Sequence, residues 1–171
     1  MRYMTIAAAA TAMTMNGYTA YAADVMNDDG VSNPRGVAEL LLGSAGFEGG
    51  VAAEIRGSGS EYWQVRPEVF INEDSRVGAG VSLDWDLGRV VQLPHDQDLY
   101  VGPRVVYHNS NHDKWELGGT AIYSIPIFSG HPERNHLEII GAAGYLEHRS
   151  NDGDHSDRFG GTLGLGYAYQ F

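Results

Sequence analysis

The sequence predicts an all-β protein, an eight-stranded antiparallel up-and-down transmembrane β-barrel. Three observations lead to this fold class: a two-residue period of apolar side chains, turn-forming residues between the periodic segments, and no stretch near 18 uninterrupted apolar residues that could form a spanning helix. The segments have about the 9–11 residues that a tilted strand needs to cross a bilayer. A closed barrel is the sheet that can do so without unpaired backbone edges.

The last segment, Arg158–Phe171, has the most regular period. Its large apolar residues fall on one parity: Phe159, Leu163, Leu165, Tyr167, Tyr169 and Phe171. The other parity carries small or polar residues such as Thr162 and Gly164. This alternation predicts a strand with one apolar face and one small or polar face.

Seven earlier segments are predicted as strands on the same pattern. They are residues 36–43, 50–56, 62–71, 75–87, 99–108, 115–125 and 136–148. The first departs from the period at Leu40-Leu41-Leu42. Pro67 and Pro103 fall inside two others, and because proline removes a ladder hydrogen bond, we expect a bulge or kink at both.

The polar faces of these strands predict a charge network inside the barrel. They carry many glycines among their charges, which suits a narrow lumen better than a surface in water. Both signs recur on most strands, so each buried charge could pair, whereas an unpaired one would cost several kcal/mol. The predicted lumen residues are Glu39, Glu54, Arg56, Arg66, Glu68, Arg76, Asp84, Asp86, Arg104, Glu116, Glu138 and Arg158. The alternative is a set of solvated surface charges.

Large aromatic residues cluster at the ends of the predicted strands. Two girdles flanking an apolar band are typical of barrels whose rims lie in the headgroup regions of a bilayer. One predicted girdle is Trp63, Trp85, Tyr123, Tyr169 and Phe171, and the other is Tyr107, Trp115, Tyr145 and Phe159.

Composition excludes several functions. The formal charge of −11 argues against nucleic-acid binding, because little here could neutralise phosphates. Without cysteine, neither a disulfide framework nor a thiolate metal site can form.

The N-terminus resembles an export signal. Met1-Arg2-Tyr3 starts it, an uncharged Ala/Met/Thr-rich stretch follows, and Ala20-Tyr21-Ala22 offers a cleavage site. We therefore expect a signal peptide over 1–22, an acidic segment over 23–34 and the barrel over 35–171.

The ending Leu163-Gly-Leu165-Gly-Tyr167-Ala-Tyr169-Gln-Phe171 resembles the last strand of bacterial outer-membrane β-barrels, and the chain looks like the small OmpA-like or opacity-like members. The resemblance implies export and insertion into the outer membrane, with the terminal Phe171 read by the barrel-assembly machinery. It also implies contact with outer-membrane lipid and lipopolysaccharide, a monomer, no cofactor, and a structural or surface-binding role rather than catalysis. A soluble lipocalin-like ligand carrier remains the competing class.

The sequence also suggests two kinds of site. His108-Asn109-Ser110-Asn111 is similar to the motif of PagL-like lipid A deacylases, which implies His108 as base and Ser110 as nucleophile. However, the motif lies far from the C-terminus, and its parity points His108 towards the lumen.

Metal binding at the loops is the other hypothesis, with His112, Asp152, Asp154 and His155 as candidate ligands; the same residues also suit ordinary turns.

An open channel through the barrel is a separate question. Eight strands enclose little more than their own side chains. The sequence therefore argues against a wide, porin-like channel and leaves a narrow or gated ion path open.

Overall fold

The structure is a computed structural model that describes most of the chain from Pro34 onward. The described ranges are 34–44, 46–56, 62–73, 75–88, 90–94, 97–109, 113–127, 134–149 and 155–170. For residues 113, 114, 148, 149 and 155–157 only the backbone is described. The predicted signal peptide, most of the acidic segment, and Phe171 lie outside these ranges.

Eight antiparallel strands form one closed barrel, so the predicted fold class and strand number are confirmed. Each strand pairs with its neighbour in sequence, and β1 pairs with β8 to close the sheet. The strands are β1 (Arg35–Gly43), β2 (Gly46–Arg56), β3 (Trp63–Asn72), β4 (Val77–Asp86), β5 (Asp98–His108), β6 (Asp113–Pro126), β7 (Asn135–Arg149) and β8 (His155–Gln170). Among the described residues, no helix is long and apolar enough to cross a membrane.

Side chains alternate between the barrel interior and its outer surface. In β1, Leu41 is 2% exposed, while Leu40 and Leu42 are 55% and 65% exposed. These three leucines break the hydrophobic period in the sequence, but the strand itself stays regular. The reason is that the interior accepts an apolar side chain at Leu41 as well as polar ones elsewhere. Other buried apolar residues are Val37, Ala52, Phe70, Tyr100, Val106, Ile122, Ile140, Leu146 and Ala168.

The expected bulges at Pro67 and Pro103 are wrong. Pro67 stands opposite Val81 and Pro103 opposite Gly119, and the register on those sides passes both residues without a shift. On the other side of each proline the ladder skips two partners and then resumes in the same register. A strand residue directs its N–H to one neighbour alone, so each proline removes one bond without displacing the strand. In the described sheet the register shifts between Asp113 and Glu116 instead.

Interior glycines make the narrow barrel possible. A Cβ added to Gly78 would lie 2.2 Å from the ring of Phe70, and one added to Gly118 would lie 2.1 Å from the carbonyl oxygen of Ala143. The space over these glycines is filled by neighbouring side chains and backbone. This close packing is the physical reason why glycine recurs on the polar parity.

The connections differ between the two ends of the barrel. At one end they are short and comprise residues 44–45, 73–76, 109–112 and 150–154. The opposite end holds the paired residues Arg35 and Gln170, where the sheet begins and ends. It also carries the longer connections, residues 57–62, 87–97 and 127–134.

Candidate functional site in the barrel interior

The interior of the described barrel is rich in charge. The buried acidic residues are Glu39, Glu48, Glu54, Glu68, Asp84, Glu116 and Glu138. The buried basic residues are Arg35, Arg66 and Arg104, joined by His108 and His136. Carboxylates thus outnumber guanidinium groups in the described interior. Strand alternation places all of these side chains inside, because each lies on the parity opposite the outward apolar residues.

Arg66 is the centre of the first interior cluster. Its Nη2 lies 2.8 Å from Glu39 Oε2, and its Nη1 lies 3.0 Å from Glu138 Oε2 and 3.4 Å from Glu54 Oε1. The side chain of Arg66 is 3% exposed, and those of its three partners are at most 1% exposed. One guanidinium from β3 therefore ties together carboxylates from β1, β2 and β7, on both sides of the barrel interior. Gln64 adds a hydrogen bond from Nε2 to Glu54 Oε1 at 3.3 Å.

Arg104 is the centre of a second cluster, nearer the end with short connections. Its Nε donates to Glu68 Oε1 at 2.7 Å, and its Nη1 donates to Glu116 Oε1 at 3.2 Å. His108 extends this cluster: its Nε2 lies 3.5 Å from Glu116 Oε2, and its Nδ1 lies 3.9 Å from Glu48 Oε1. The ring of Phe70 packs against the imidazole at a centroid distance of 5.4 Å.

A third group of charges lies at the end where the sheet begins and ends. Asp98 Oδ2 lies 3.6 Å from Arg56 Nη2 and 3.8 Å from Arg35 Nη1. The Arg56 guanidinium sits 5.4 Å from the centre of the Tyr100 ring. Arg35 also approaches Glu54 Oε2 at 3.9 Å, which links this group to the Arg66 cluster.

The structure brings together most of the residues expected in the lumen. Arg56, Arg76 and Asp86 are half-buried near the strand ends, and Arg158 is exposed. Arg158 has the inward parity, standing opposite the buried Leu146, but lies near the start of the long β8. Position along the strand, which alternation does not reveal, decides its exposure.

Sequence reasoning missed several interior residues. Arg35 and Asp98 each lie one residue before the predicted start of a strand, and Glu48 lies before the predicted start of β2 at Gly50. The glycines after Glu48 concealed the period there. Gln64 and His136 also lie on the inward parity, but the prediction rests on Asp, Glu and Arg residues and does not include them. His136 Nδ1 lies 3.0 Å from Ser124 Oγ. The sequence does contain a signal for these residues: their inward parity along the strand, which applies to uncharged side chains as well as to charged ones.

The candidate catalytic and metal residues give a mixed result. His108 is buried and faces Glu48, Glu116 and Phe70. Ser110 and the side chains of the candidate ligands His112, Asp152, Asp154 and His155 lie outside the described part of the structure. In the part of the chain that the structure describes, no group of three or more His, Cys, Asp or Glu side chains could hold a metal ion.

The outer surface has the reverse chemistry of the interior. Its exposed aliphatic residues include Leu40, Val69, Val81, Leu83, Val105, Leu117, Leu163 and Leu165. Aromatic residues stand in neighbouring pairs towards the ends: Trp63 beside Trp85, Tyr107 against Trp115 at 5.0 Å and Tyr145 against Phe159 at 5.7 Å between ring centres. Tyr123 hydrogen-bonds Gln97, and Tyr169 is half-buried.

Comparison with known proteins supports the fold and goes no further. No family model and no curated protein matches the chain. The solution NMR structure of the de novo designed protein TMB2.3 is similar, with a TM-score of 0.57 and 13% identity over 84% of this chain and 98% of that one. The crystal structure of Neisserial surface protein A (NspA) gives a TM-score of 0.46 and 12% identity, over 81% of this chain and 95% of that one.

Proposed function

We propose that this chain is an integral β-barrel protein of the bacterial outer membrane, with a structural or surface-binding role and an interior closed by ion pairs. The observation that carries the proposal is the inverted distribution of polarity. Among the buried described residues, charged and polar side chains outnumber apolar ones, while aliphatic and aromatic residues line the exposed outer surface. A large exposed apolar surface marks contact with lipid or with another protein, and here it surrounds the whole barrel.

The aromatic pairs support the same function. Trp63 and Trp85 stand side by side near one end of β3 and β4, and Tyr145 and Phe159 stand side by side towards the other end of β7 and β8. Aromatic girdles at two levels are favoured where a barrel wall meets the headgroups on each side of a bilayer. The apolar band between them would then face the hydrocarbon.

A soluble ligand carrier would need the opposite arrangement. Its interior would be lined by apolar side chains around a ligand, and its outer face would be polar. Here Arg66 and its three glutamates occupy the middle of the interior. A lipid-cutting active site at His108 is also disfavoured, because this histidine faces the interior rather than the lipid-exposed surface.

The first prediction concerns solubility. The barrel domain should fold in detergent micelles or lipid vesicles and should migrate differently on a gel before and after boiling, since a closed sheet of backbone hydrogen bonds resists mild denaturant. Native protein should also fractionate with outer membranes. A folded, monodisperse protein obtained without detergent would contradict membrane insertion.

The second prediction concerns assembly. We expect deletion of Phe171 to reduce insertion in cells strongly, because the proposal makes this residue part of the signal read by the barrel-assembly machinery. Stability of the barrel once it is refolded into detergent should change far less. Normal insertion of the shortened chain would argue against a C-terminal signal, whereas loss of stability in detergent would assign Phe171 a packing role instead.

A further inference from the structure

The barrel wall is uneven at the end with short connections. The pairing of β1 with β8 stops at Gly43 opposite Thr162, followed by one bond from the Ser44 N–H to the Gly161 carbonyl. β8 continues to His155, and over these last residues it pairs with β7 alone. At about 3.3 Å per residue, the six residues from His155 to Gly160 give about 20 Å of tilted strand beyond its pairing with β1. Among the described residues, it is a strand with an open edge.

The backbone groups on this edge can be identified from the register. In an antiparallel sheet, the N–H and C=O of one residue point to the same neighbouring strand, and successive residues alternate. The carbonyl of Gly161 points towards β1. The main-chain groups of Phe159, Asp157 and His155 therefore point the same way, with no described partner, while those of Arg158 and Gly160 point to β7.

The outward side of this edge carries an aromatic ledge. Phe159 is 68% exposed and packs edge-to-face against Tyr145, which is 65% exposed. On an added strand, the residue opposite Phe159 would project on the same side, with its Cβ about 5 Å away. An apolar residue there would cover the ring.

The proposed membrane insertion places this edge outside the hydrocarbon. Unpaired backbone groups are not tolerated in lipid, and Phe159 belongs to the aromatic residues assigned to the headgroup level. The edge from His155 to Phe159 would then stand at and above the membrane surface. There it would be accessible to water and to other polypeptides.

The choice of occupant follows from topology. Residues 1–33 lead to Arg35, which pairs with Gln170 at the opposite end, so that segment would have to cross the membrane to reach the edge. In a second copy, antiparallel pairing of the same edge would require a barrel inverted in the bilayer. Upright copies would pair in parallel, which is slightly less stable and needs an offset of one residue between the two strands that a two-fold axis along the membrane normal does not supply.

We infer that the β8 edge over His155–Phe159 is a docking site for an extended segment of another polypeptide, which adds a strand and places an apolar residue beside Phe159. Main-chain hydrogen bonds to His155, Asp157 and Phe159, whose N–H and C=O groups point away from β7, would supply affinity. The aromatic ledge would supply selectivity, as in other cases of strand addition. The inference rests on the proposed function for the position of the edge and for the exclusion of a second copy.

Hydrogen exchange followed by NMR in detergent micelles tests whether the edge is open. In the isolated protein, the amides of Asp157 and Phe159 should exchange quickly, while those of Arg158 and Gly160 should be slower. A short synthetic peptide of alternating valine and threonine should slow the first pair on binding. Protection of Asp157 and Phe159 without peptide would overturn the inference, because the chain itself would then cover the edge.

Matched variants test whether the peptide binds through the backbone. Asp157→Pro removes an edge-facing N–H without removing a bond to β7, and proline is tolerated on edge strands. We expect it to weaken peptide binding about tenfold, more than Asp157→Ala, which also lacks the carboxylate but keeps the N–H. The same peptide with N-methyl groups at alternate residues should also bind weakly.

Equal binding by Asp157→Pro, Asp157→Ala and the unchanged protein would overturn strand addition, provided that the gel shift on boiling shows all three to be folded. Self-association through the edge, seen as its protection at high protein concentration, would overturn the choice of occupant. A barrel that folds without detergent would instead contradict the proposed function, whatever the peptide does.

Discussion

Val81→Arg should destabilise the barrel by about 2–4 kcal/mol when unfolding is measured in lipid vesicles. Val81 lies in the middle of β4, is 46% exposed, and stands between Pro67 of β3 and Val105 of β5 on the outer surface. An arginine there would place a charge near the middle of the proposed apolar band. Urea titration followed by tryptophan fluorescence gives the free energy of unfolding.

Position along β4 supplies the controls for this prediction. Leu83→Arg should cost less, because Leu83 is two residues nearer Trp85, where a long side chain can reach the headgroups. Val81→Leu, which changes size without adding charge, should cost little. Ser82→Ala should cost about 1 kcal/mol, since the inward-facing Ser82 loses its hydrogen bond to Asp84, 2.7 Å long. A larger cost for Ser82→Ala than for Val81→Arg would contradict the assignment of the outer surface to lipid.

The fold could be predicted because its repeating unit is local. In a barrel of neighbouring hairpins, parity decides which face is buried, and turn residues decide where a strand ends. β5 illustrates this: its alternation from Leu99 to His108 is visible in sequence, and the strand begins one residue earlier, at Asp98. Pro67 produces no bulge, because its missing N–H interrupts the ladder with β2 only locally while the pairing with β4 keeps the register.

The sequence predicts which side chains lie in the interior, but it does not predict which of them form ion pairs with one another. Parity alone placed Arg66, Glu54 and Glu138 inside, yet Glu138 is 72 residues away from Arg66 in sequence. Their contact results from closure of the sheet and from the stagger of its strands, which together decide which inward side chains reach one level. The same reason explains Arg158: its parity is inward, but its height on β8 leaves it exposed.

Arg66→Met should destabilise the barrel by about 3–5 kcal/mol, the usual cost of removing one partner from a buried ion pair. The substitution keeps much of the side-chain volume but leaves Glu39, Glu54 and Glu138 without the guanidinium that contacts all three. Stability would again be measured by urea titration in vesicles. Arg158→Met is the matched control: its arginine is exposed, so the change should stay within about 0.5 kcal/mol.

Two further measurements separate loss of charge pairing from loss of packing. Replacing Glu39, Glu54 and Glu138 by glutamine in the Arg66→Met background should restore most of the lost stability, because no uncompensated carboxylate then remains at the centre. Acidic pH should narrow the gap between Arg66→Met and the unchanged protein, since the stranded carboxyl groups can take up protons and become neutral. If packing were the main contribution of Arg66, the glutamines would not restore stability and the gap would be the same at every pH. Restoration by both routes would instead show that Arg66 stabilises the barrel mainly by compensating the buried carboxyl groups around it.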